Sequence, residues 1–331
     1  MRTNFVKTVF ALLIIAIAVI VGCKKNDNAQ PATTQNTNAD NYSSMANFFA
    51  KNGVSALTYS VTGSVGGSFT TPQGTVLSIP PNSFYDQNFQ LVKGAVTITF
   101  KDIYKKSDML LSNMSTNMGD DAPLKSGGEF FIKATSGGSA LYLGNVITVK
   151  QPLGSFGPDA NMQPFVEPIT ANTFDSPPAA WRWVNDSLTN VTVHIDSNSA
   201  LSHYVFSLYQ FNSPVDSGTW CNSDNAQYFS AYPQTILILQ QSDDPGAYNT
   251  YVFLVFKNIN SMVHVYNGQN YTFPYNYAPV GLQCTVVAIG IKGGKVYSSF
   301  TPITISANQT VTFSMTETTT AAFKSQLATL N

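Results

Sequence analysis

The chain has 331 residues, which is enough for two domains of ordinary size. Charged residues make up 11% and aromatic residues 12%, and the formal net charge is −1. The weak net charge argues against electrostatic attraction to nucleic acid. Uncharged polar surfaces over aromatic and β-branched cores favour an all-β protein. Only three glutamates are present for carboxylate chemistry: Glu129, Glu167 and Glu317.

The chain begins with a segment that is typical of a secretory signal peptide. Arg2 and Lys7 precede an uncharged apolar run that is too short for a spanning helix of about 20 residues. The run ends in Ile20-Val21-Gly22-Cys23, which resembles a bacterial lipobox. The resemblance implies that residues 1–22 are removed and that Cys23 is acylated, so we expect a lipid anchor at Cys23. The alternative is an uncleaved membrane anchor.

A polar segment, residues 23–45, follows the lipobox and contains almost no apolar side chains. Such a segment cannot bury enough surface to fold, so we expect a flexible linker with a mean reach of about 25 Å. Residue 24, directly after the lipobox, is Lys and not Asp. Similarity to the lipoproteins of bacteria with two membranes implies that a chain without Asp at this position is not retained in the inner membrane, so we expect the outer membrane. Lys24-Lys25-Asn26-Asp27 lacks the acidic cluster of surface-displayed Bacteroidota lipoproteins, so the periplasmic and surface faces both stay open.

The first strong strand pattern lies in residues 94–101, with the sequence GAVTITFK. Val96, Ile98 and Phe100 share one face, whereas Lys101 lies on the other, and this alternation is typical of a strand with one buried face. Similar short runs follow, separated by clusters of Gly, Pro, Asn and Asp. Many short strands with such turns predict β-sandwiches.

Two apolar runs, residues 235–239 and 251–256, predict central strands that are covered on both faces. The turn-rich segment 213–233 precedes them and is followed by enough sequence for one sandwich of about 100 residues. We therefore place a first β-sandwich in residues 46–212, a boundary segment in 213–233, and a second, Ig-like β-sandwich in 234–331.

Helical patterns occur only near the two ends of the folded region. Residues 45–53 predict a short helix capped by Gly53. At the other end, Phe323, Leu327 and Leu330 have helical spacing after Thr316, which is a suitable N-cap. We expect both helices to pack against the sandwiches.

Residues 66–103 resemble the opening of ZU-five-type β-sandwich modules, which are known from ankyrins and netrin receptors. The matching features are a glycine pair, a first strand, a Pro-Pro turn, an aromatic residue and a second strand: Gly66-Gly67, residues 74–79, Pro80-Pro81, Phe84, and the strand from Gly94. Residues 124–134 look like a later strand of similar bacterial modules. The resemblance implies a sandwich that mediates protein contacts, without catalytic residues, and the whole chain resembles Bacteroidota-type lipoproteins that join such a module to a second Ig-like one.

The remaining candidate sites are two cysteines and a group of aromatic residues. Cys221 and Cys284 either form a disulfide, which an oxidising compartment permits, or stay as buried thiols. The segment 263–279 gathers aromatic side chains that either bind a sugar or a protein partner or fill the end of a sandwich. These candidate contact residues are Tyr266, Tyr271, Phe273, Tyr275 and Tyr277.

No spacing of histidine, cysteine or carboxylate residues is typical of a metal site, and no GxSxG motif occurs. We therefore expect no catalytic residues, no metal and no cofactor. The sequence predicts an outer-membrane lipoprotein that acts as a non-enzymatic binding or scaffolding module, with envelope proteins or glycans as partners. The alternative is a surface glycan-binding or adhesion protein that uses the aromatic segment 263–279.

Overall fold

The computed structural model describes residues 40–153, 157–166, 184–185, 192–196, 203–208, 218–243, 249–268 and 270–331. From Asp40 onward they form one compact unit in which strands predominate, so the fold is all-β with a short C-terminal helix. The expected signal peptide, Cys23 and most of the expected linker lie outside the described residues. The expectation of a flexible linker up to residue 45 is wrong for its last residues, because Tyr42 and Met45 are buried and Tyr42 N donates to Gly294 O. Within the described part of the chain, no helix combines the length and the apolar character needed to cross a membrane.

The first sandwich packs a seven-stranded sheet against a five-stranded sheet. The seven-stranded sheet comprises β1 (Leu57–Thr62), β5 (Ala95–Ile103), β6 (Lys125–Ser136), β14 (Thr219–Asn225), β10 (Gln163–Val166) and β11 (Val184–Asn185), with β7 (Ser139–Ala140) paired to β6. The five-stranded sheet comprises β12 (Thr192–Asp196), β13 (His203–Leu208), β9 (Ile147–Pro152), β3 (Val76–Ile79) and β2 (Gly67–Thr70). A separate two-stranded sheet pairs β4 (Phe84–Tyr85) with β8 (Tyr142–Leu143).

The alternation in residues 94–101 is confirmed, because Val96, Ile98 and Phe100 are buried between the two sheets of the first sandwich. Lys101 was expected on an exposed face, and that expectation is wrong: the residue is buried. The end of β5 is covered on both sides, since Ile103 contributes to a different core from Phe100.

The second sandwich packs a three-stranded sheet against a five-stranded sheet. The three-stranded sheet comprises β18 (Thr272–Pro279), β15 (Gln234–Gln241) and β21 (Gln309–Phe313), and its β15–β21 pair is parallel. The five-stranded sheet comprises β17 (Met262–Val265), β16 (Tyr251–Phe256), β19 (Gln283–Lys292), β20 (Lys295–Thr304) and β22 (Thr316–Thr318).

The two apolar runs of this sandwich differ in burial. Residues 252–256 are all buried, as predicted for a strand covered on both faces. The same prediction for residues 235–239 is wrong, because Leu237 and Leu239 are buried whereas Ile236 is 48% exposed. The three-stranded sheet is covered by the second sandwich's core on one side only, which explains the difference.

A third hydrophobic core joins the two sandwiches, and we call it the joint. It combines the outer faces of β6 and β14 with the outer faces of β16 and β19, through residues such as Phe131, Trp220, Phe253 and Val287. Three helices also contribute side chains to the joint. These helices are α1 (Met45–Asn52), α2 (Lys106–Leu111) and α3 (Thr320–Ala328).

The helices follow the sequence prediction in part. Helix α1 begins after the N-cap Ser44, and Gly53 ends it with an extended backbone (φ −68°) and not a left-handed one. Helix α3 has Thr319 as its N-cap, so the predicted cap at Thr316 is wrong, because Thr316 begins β22. Helix α2 was not predicted, since its six residues are too few to show a period.

The predicted boundary segment 213–233 contains β14 and a 3-10 helix (Tyr228–Ala231). β14 lies between β6 and β10 in the seven-stranded sheet, so the first sandwich extends to Asn225. The polar residues of this strand, which include Asn222 and Asp224, are buried and were mistaken for a turn.

Candidate functional site

The aromatic residues of segment 263–279 lie mainly in strands and not in an exposed loop. Phe273 and Tyr275 are buried in the second core, and the Tyr275 hydroxyl donates a hydrogen bond of 3.1 Å to Asp121 O. Burial raises the pKa of Tyr275 well above its usual value. Tyr266, Tyr271 and Tyr277 are half-buried. The structure therefore does not form the exposed aromatic group that the glycan alternative placed here.

Cys221 and Cys284 are not joined by a disulfide. Cys221 lies in the core of the first sandwich, whereas Cys284 lies in the core of the second. Burial raises the pKa of the Cys284 thiol to about 12, so this side chain packs as a small apolar group. The predicted disulfide alternative is therefore corrected in favour of separately buried cysteines.

One exposed aromatic side chain stands out on the first sandwich. Phe89 is 69% exposed and lies in a tight turn, residues 86–90, which we call the Phe89 loop. Its backbone is left-handed, with φ of +55°, a conformation that bulky residues rarely adopt. Phe89 N donates to Asp86 O at 3.0 Å, and Asp86 N donates to Gln90 O at 2.9 Å. These bonds hold the strained residue in place.

The carboxylate of Asp86 also organises the Phe89 loop from inside. Its Oδ1 accepts hydrogen bonds of 2.8 Å from the backbone N–H groups of Asn88 and Gln90. The Phe89 ring stacks on Tyr142 of β8, with ring centroids 4.9 Å apart and planes inclined by 26°. The loop is therefore held by the backbone and by the ring stack, while most of the Phe89 ring remains in solvent.

The Phe89 loop lies at the end of the first sandwich that is remote from the joint. β5 begins at Ala95, shortly after the loop, and ends at Ile103 in the joint. Nine residues of strand span about 30 Å. The neighbouring turn carries Val65, which is 67% exposed, and Ser64 N donates to Lys93 O. Two of the exposed large apolar side chains in the described residues thus lie near this end.

Sequence reasoning missed the Phe89 loop, although a signal was present. Phe89 is an isolated aromatic residue in a run of amide side chains (DQNFQ, residues 86–90), where a turn residue would ordinarily be small or polar. A large apolar residue in such a turn has no core to fill. Phe89 is therefore either an unfavourable residue for this turn or a residue whose ring contacts a binding partner.

A second unpredicted group lies in the joint, where two carboxyl groups are buried on one face of neighbouring strands. Glu129 of β6 lies directly opposite Asn222 of β14, two residues before Asp224. Both Glu129 carboxyl oxygens and Asn222 Nδ2 are buried without a hydrogen-bond partner, and Asp224 is buried beside Ser126. Burial raises the pKa of both carboxyl groups well above their usual values, and Asp224 raises that of Glu129 further; Lys101 and Ser126 oppose these shifts at Glu129 and Asp224, respectively, by smaller amounts. Both groups therefore favour the protonated, neutral form.

A cleft of about 460 Å³ opens beside the joint and is lined in part by Tyr104 and Lys106. Two of its polar side chains are engaged with neighbouring atoms. Lys106 Nζ donates to Phe256 O at 2.6 Å, and the Tyr104 hydroxyl is hydrogen-bonded to Thr75. Among the described residues, no group of three or more His, Cys, Asp or Glu side chains is arranged to hold a metal ion.

Comparison with known proteins gives no family for this chain: no protein-family model matches it, and no curated protein matches it. Among solved structures, the chain is similar to BcpA, the major pilin subunit of Bacillus cereus, and to a variant form of BcpA. Both structures are 10% identical to this chain and align with 80% of it. The alignment covers 100% of BcpA with a TM-score of 0.18, and 99% of the variant with a TM-score of 0.19. Such low scores transfer no property of pilins to this chain.

Proposed function

We propose that this protein is an outer-membrane lipoprotein, acylated at Cys23, that acts as a non-enzymatic binding or scaffolding module in the cell envelope through the Phe89 loop. The signal peptide and lipobox in the sequence support the anchor. The observation that carries the binding role is the exposed Phe89 ring in a left-handed backbone. Strained residues persist only where the surrounding structure holds them, and they cluster at contact sites.

The positions of the two ends of the folded unit suit this role. The described chain enters at the joint, where Tyr42 N donates to Gly294 O and α1 packs against Phe323 of α3. The Phe89 loop precedes the start of β5, whereas the end of β5 lies in the joint. A lipid anchor on the entering chain would therefore leave the Phe89 loop at the far end, accessible to a partner.

Anchoring is tested by cell fractionation of the wild type and of Cys23→Ser. The proposal expects the wild type in the membrane fraction and Cys23→Ser in the soluble fraction, because a single acyl chain binds only marginally and several chains are needed for stable anchoring. Retention of Cys23→Ser in the membrane after extraction with high salt would contradict the anchor at this residue.

Binding is tested with the Cys23→Ser chain added to isolated cell envelopes of the producing bacterium. We expect Phe89→Ala, in that background, to weaken envelope binding about tenfold, as loss of a central aromatic contact typically does. Ile236→Ala is the matched control, because Ile236 is an exposed apolar residue in the other sandwich. Equal binding by Phe89→Ala and its parent would overturn the role of the Phe89 loop.

A further inference from the structure

We propose that the Phe89 loop binds neutral glycans, with the Phe89 ring as the platform on which a sugar ring stacks. This inference rests on the proposed binding function of the loop and specifies its partner. It moves the glycan site from the buried and half-buried aromatic residues of segment 263–279 to the first sandwich, where one aromatic ring is exposed and held in place.

The first argument is the shape of the exposed apolar surface. Phe89 stacks on Tyr142 with ring centroids 4.9 Å apart and is still 69% exposed, so its ring is both supported and accessible. The exposed large apolar residues of the described chain are Val65, Phe89 and Ile236. A specific protein–protein interface buries roughly 800 Å² on each partner. One exposed flat ring is far smaller than that, but it matches the apolar face of a sugar.

The second argument is the chemistry around the ring. Gln87, Asn88 and Gln90 are exposed beside Phe89, and each amide can both donate and accept a hydrogen bond. Sugar hydroxyl groups also donate and accept, so amides are suitable partners for them. The one acidic residue of the loop, Asp86, directs its Oδ1 to the backbone of Asn88 and Gln90. The exposed side chains of the loop are therefore amides and one ring, beside a single half-buried carboxylate, and this favours neutral over acidic glycans.

The third argument is the fixed conformation of the loop. Asp86 closes the turn through two side-chain and two backbone hydrogen bonds, and the Tyr142 ring fixes Phe89 from the side. A pre-formed platform loses little conformational entropy when it binds a ligand. Weak ligands such as short glycans depend on this saving more than proteins do.

The test measures retention of the full chain, purified in detergent, on beads coated with cellulose, mannan or starch, with alginate beads as the acidic comparison. We expect retention on at least one neutral polysaccharide, stronger than on alginate, and at least about tenfold weaker retention of Phe89→Ala. Circular dichroism and thermal unfolding of each variant verify that it is folded. Absence of retention on all three neutral polysaccharides, or stronger retention on alginate, overturns the proposal.

Two further variants separate stacking on a sugar from contact with a protein. Phe89→Tyr keeps a flat ring and should retain the glycan, whereas Phe89→Leu keeps an apolar side chain without a flat face and should lose it. Retention of the Leu variant at the wild-type level would overturn the stacking role. If Phe89→Ala still loses envelope binding while no polysaccharide is retained, the binding function stands and the glycan assignment falls.

Discussion

The ammonium group of Lys106, which follows β5 of the first sandwich, donates a hydrogen bond of 2.6 Å to the carbonyl oxygen of Phe256 in the second sandwich. The same nitrogen donates to Ile259 O at 3.2 Å. Burial lowers the pKa of Lys106 to about 8, because the charged form loses hydration. One side chain thus connects the two sandwiches and titrates in mildly alkaline solution.

Lys106 is expected to make stability depend on pH. Its pKa is about 8 in the folded protein and about 10.5 in the unfolded chain, so the unfolded chain binds more protons between these values. The contribution of Lys106 to the free energy of unfolding therefore increases with pH across this window, by up to about 3 kcal/mol. Urea unfolding of the wild type and of Lys106→Met at both ends of the window measures it.

The matched control for this titration is Lys257→Met, because Lys257 is exposed on the second sandwich. The difference in unfolding free energy between wild type and Lys106→Met should grow with pH in favour of the wild type, by more than any change in the difference for Lys257→Met. A constant difference for Lys106→Met would contradict a lowered pKa at this position.

Glu129→Gln is expected to stabilise the protein at neutral pH. The folded protein keeps the Glu129 proton above the pKa of the unfolded chain, because burial and Asp224 raise the pKa well above its usual value. The wild type therefore loses stability as pH rises above about 4.5, and Gln, which has the same shape without a proton to lose, removes this loss. We expect a gain of roughly 1 to 3 kcal/mol at pH 7 from chemical unfolding.

The control for Glu129→Gln is Glu317→Gln, since Glu317 is an exposed glutamate paired with Lys295 at 2.7 Å. Exposed pairs contribute little to stability, so this variant should unfold like the wild type. Loss of stability in Glu129→Gln at neutral pH would show that the carboxylate form is favoured in the joint.

Gly144→Ala is expected to disturb the Phe89 loop through Tyr85 and Tyr142, the residues that support it. A Cβ at Gly144 would overlap the ring of Tyr85, and Tyr85 lies directly opposite Tyr142, the partner of Phe89. Displacement of this ring should lower stability by about 1 to 3 kcal/mol and reduce ligand binding. Gly94→Ala is the control, because a Cβ there contacts nothing within 4 Å; equal behaviour of the two variants would contradict the packing argument.

Phe89→Gly is expected to be more stable than Phe89→Ala, by about 1 to 2 kcal/mol, because glycine adopts the left-handed backbone at no steric cost. Both variants lose the stack on Tyr142, so their comparison isolates the backbone effect at φ +55°. Thermal and urea unfolding of the pair measures the difference. A more stable Ala variant would show that the turn changes conformation when the ring is removed.

The strand pattern predicted much of the fold, because burial of alternate residues follows from the geometry of a sandwich. Val96, Ile98 and Phe100 obey this rule, whereas Lys101 breaks it, since the outer face of β5 enters the joint near its end. A single-sequence pattern shows which residues are apolar, but it does not show that two sandwiches cover each other's outer faces. The polar strand β14 was missed for the same reason.

The Phe89 loop and the buried carboxyl pair were not predicted because both contradict local rules. An aromatic residue in an amide-rich turn and a glutamate inside a strand are each unfavourable by themselves. Their neighbours across the fold, Tyr142 for Phe89 and Asn222 for Glu129, lie 53 and 93 residues away. Pairings at such separations are decided by the tertiary structure and leave no periodic signal.

The entry of the chain into the joint has a mechanical consequence. Tyr42 donates its backbone N–H to Gly294 O, its hydroxyl is hydrogen-bonded to Thr320, and Phe48 of α1 packs on Phe323 of α3. If the chain is anchored at Cys23 as proposed, tension would therefore first load the contacts of Tyr42 and α1 with α3 and with the turn between β19 and β20. Resistance of the attached protein to pulling would depend on α1 and α3, and the Phe89 loop would keep its shape while these helices held.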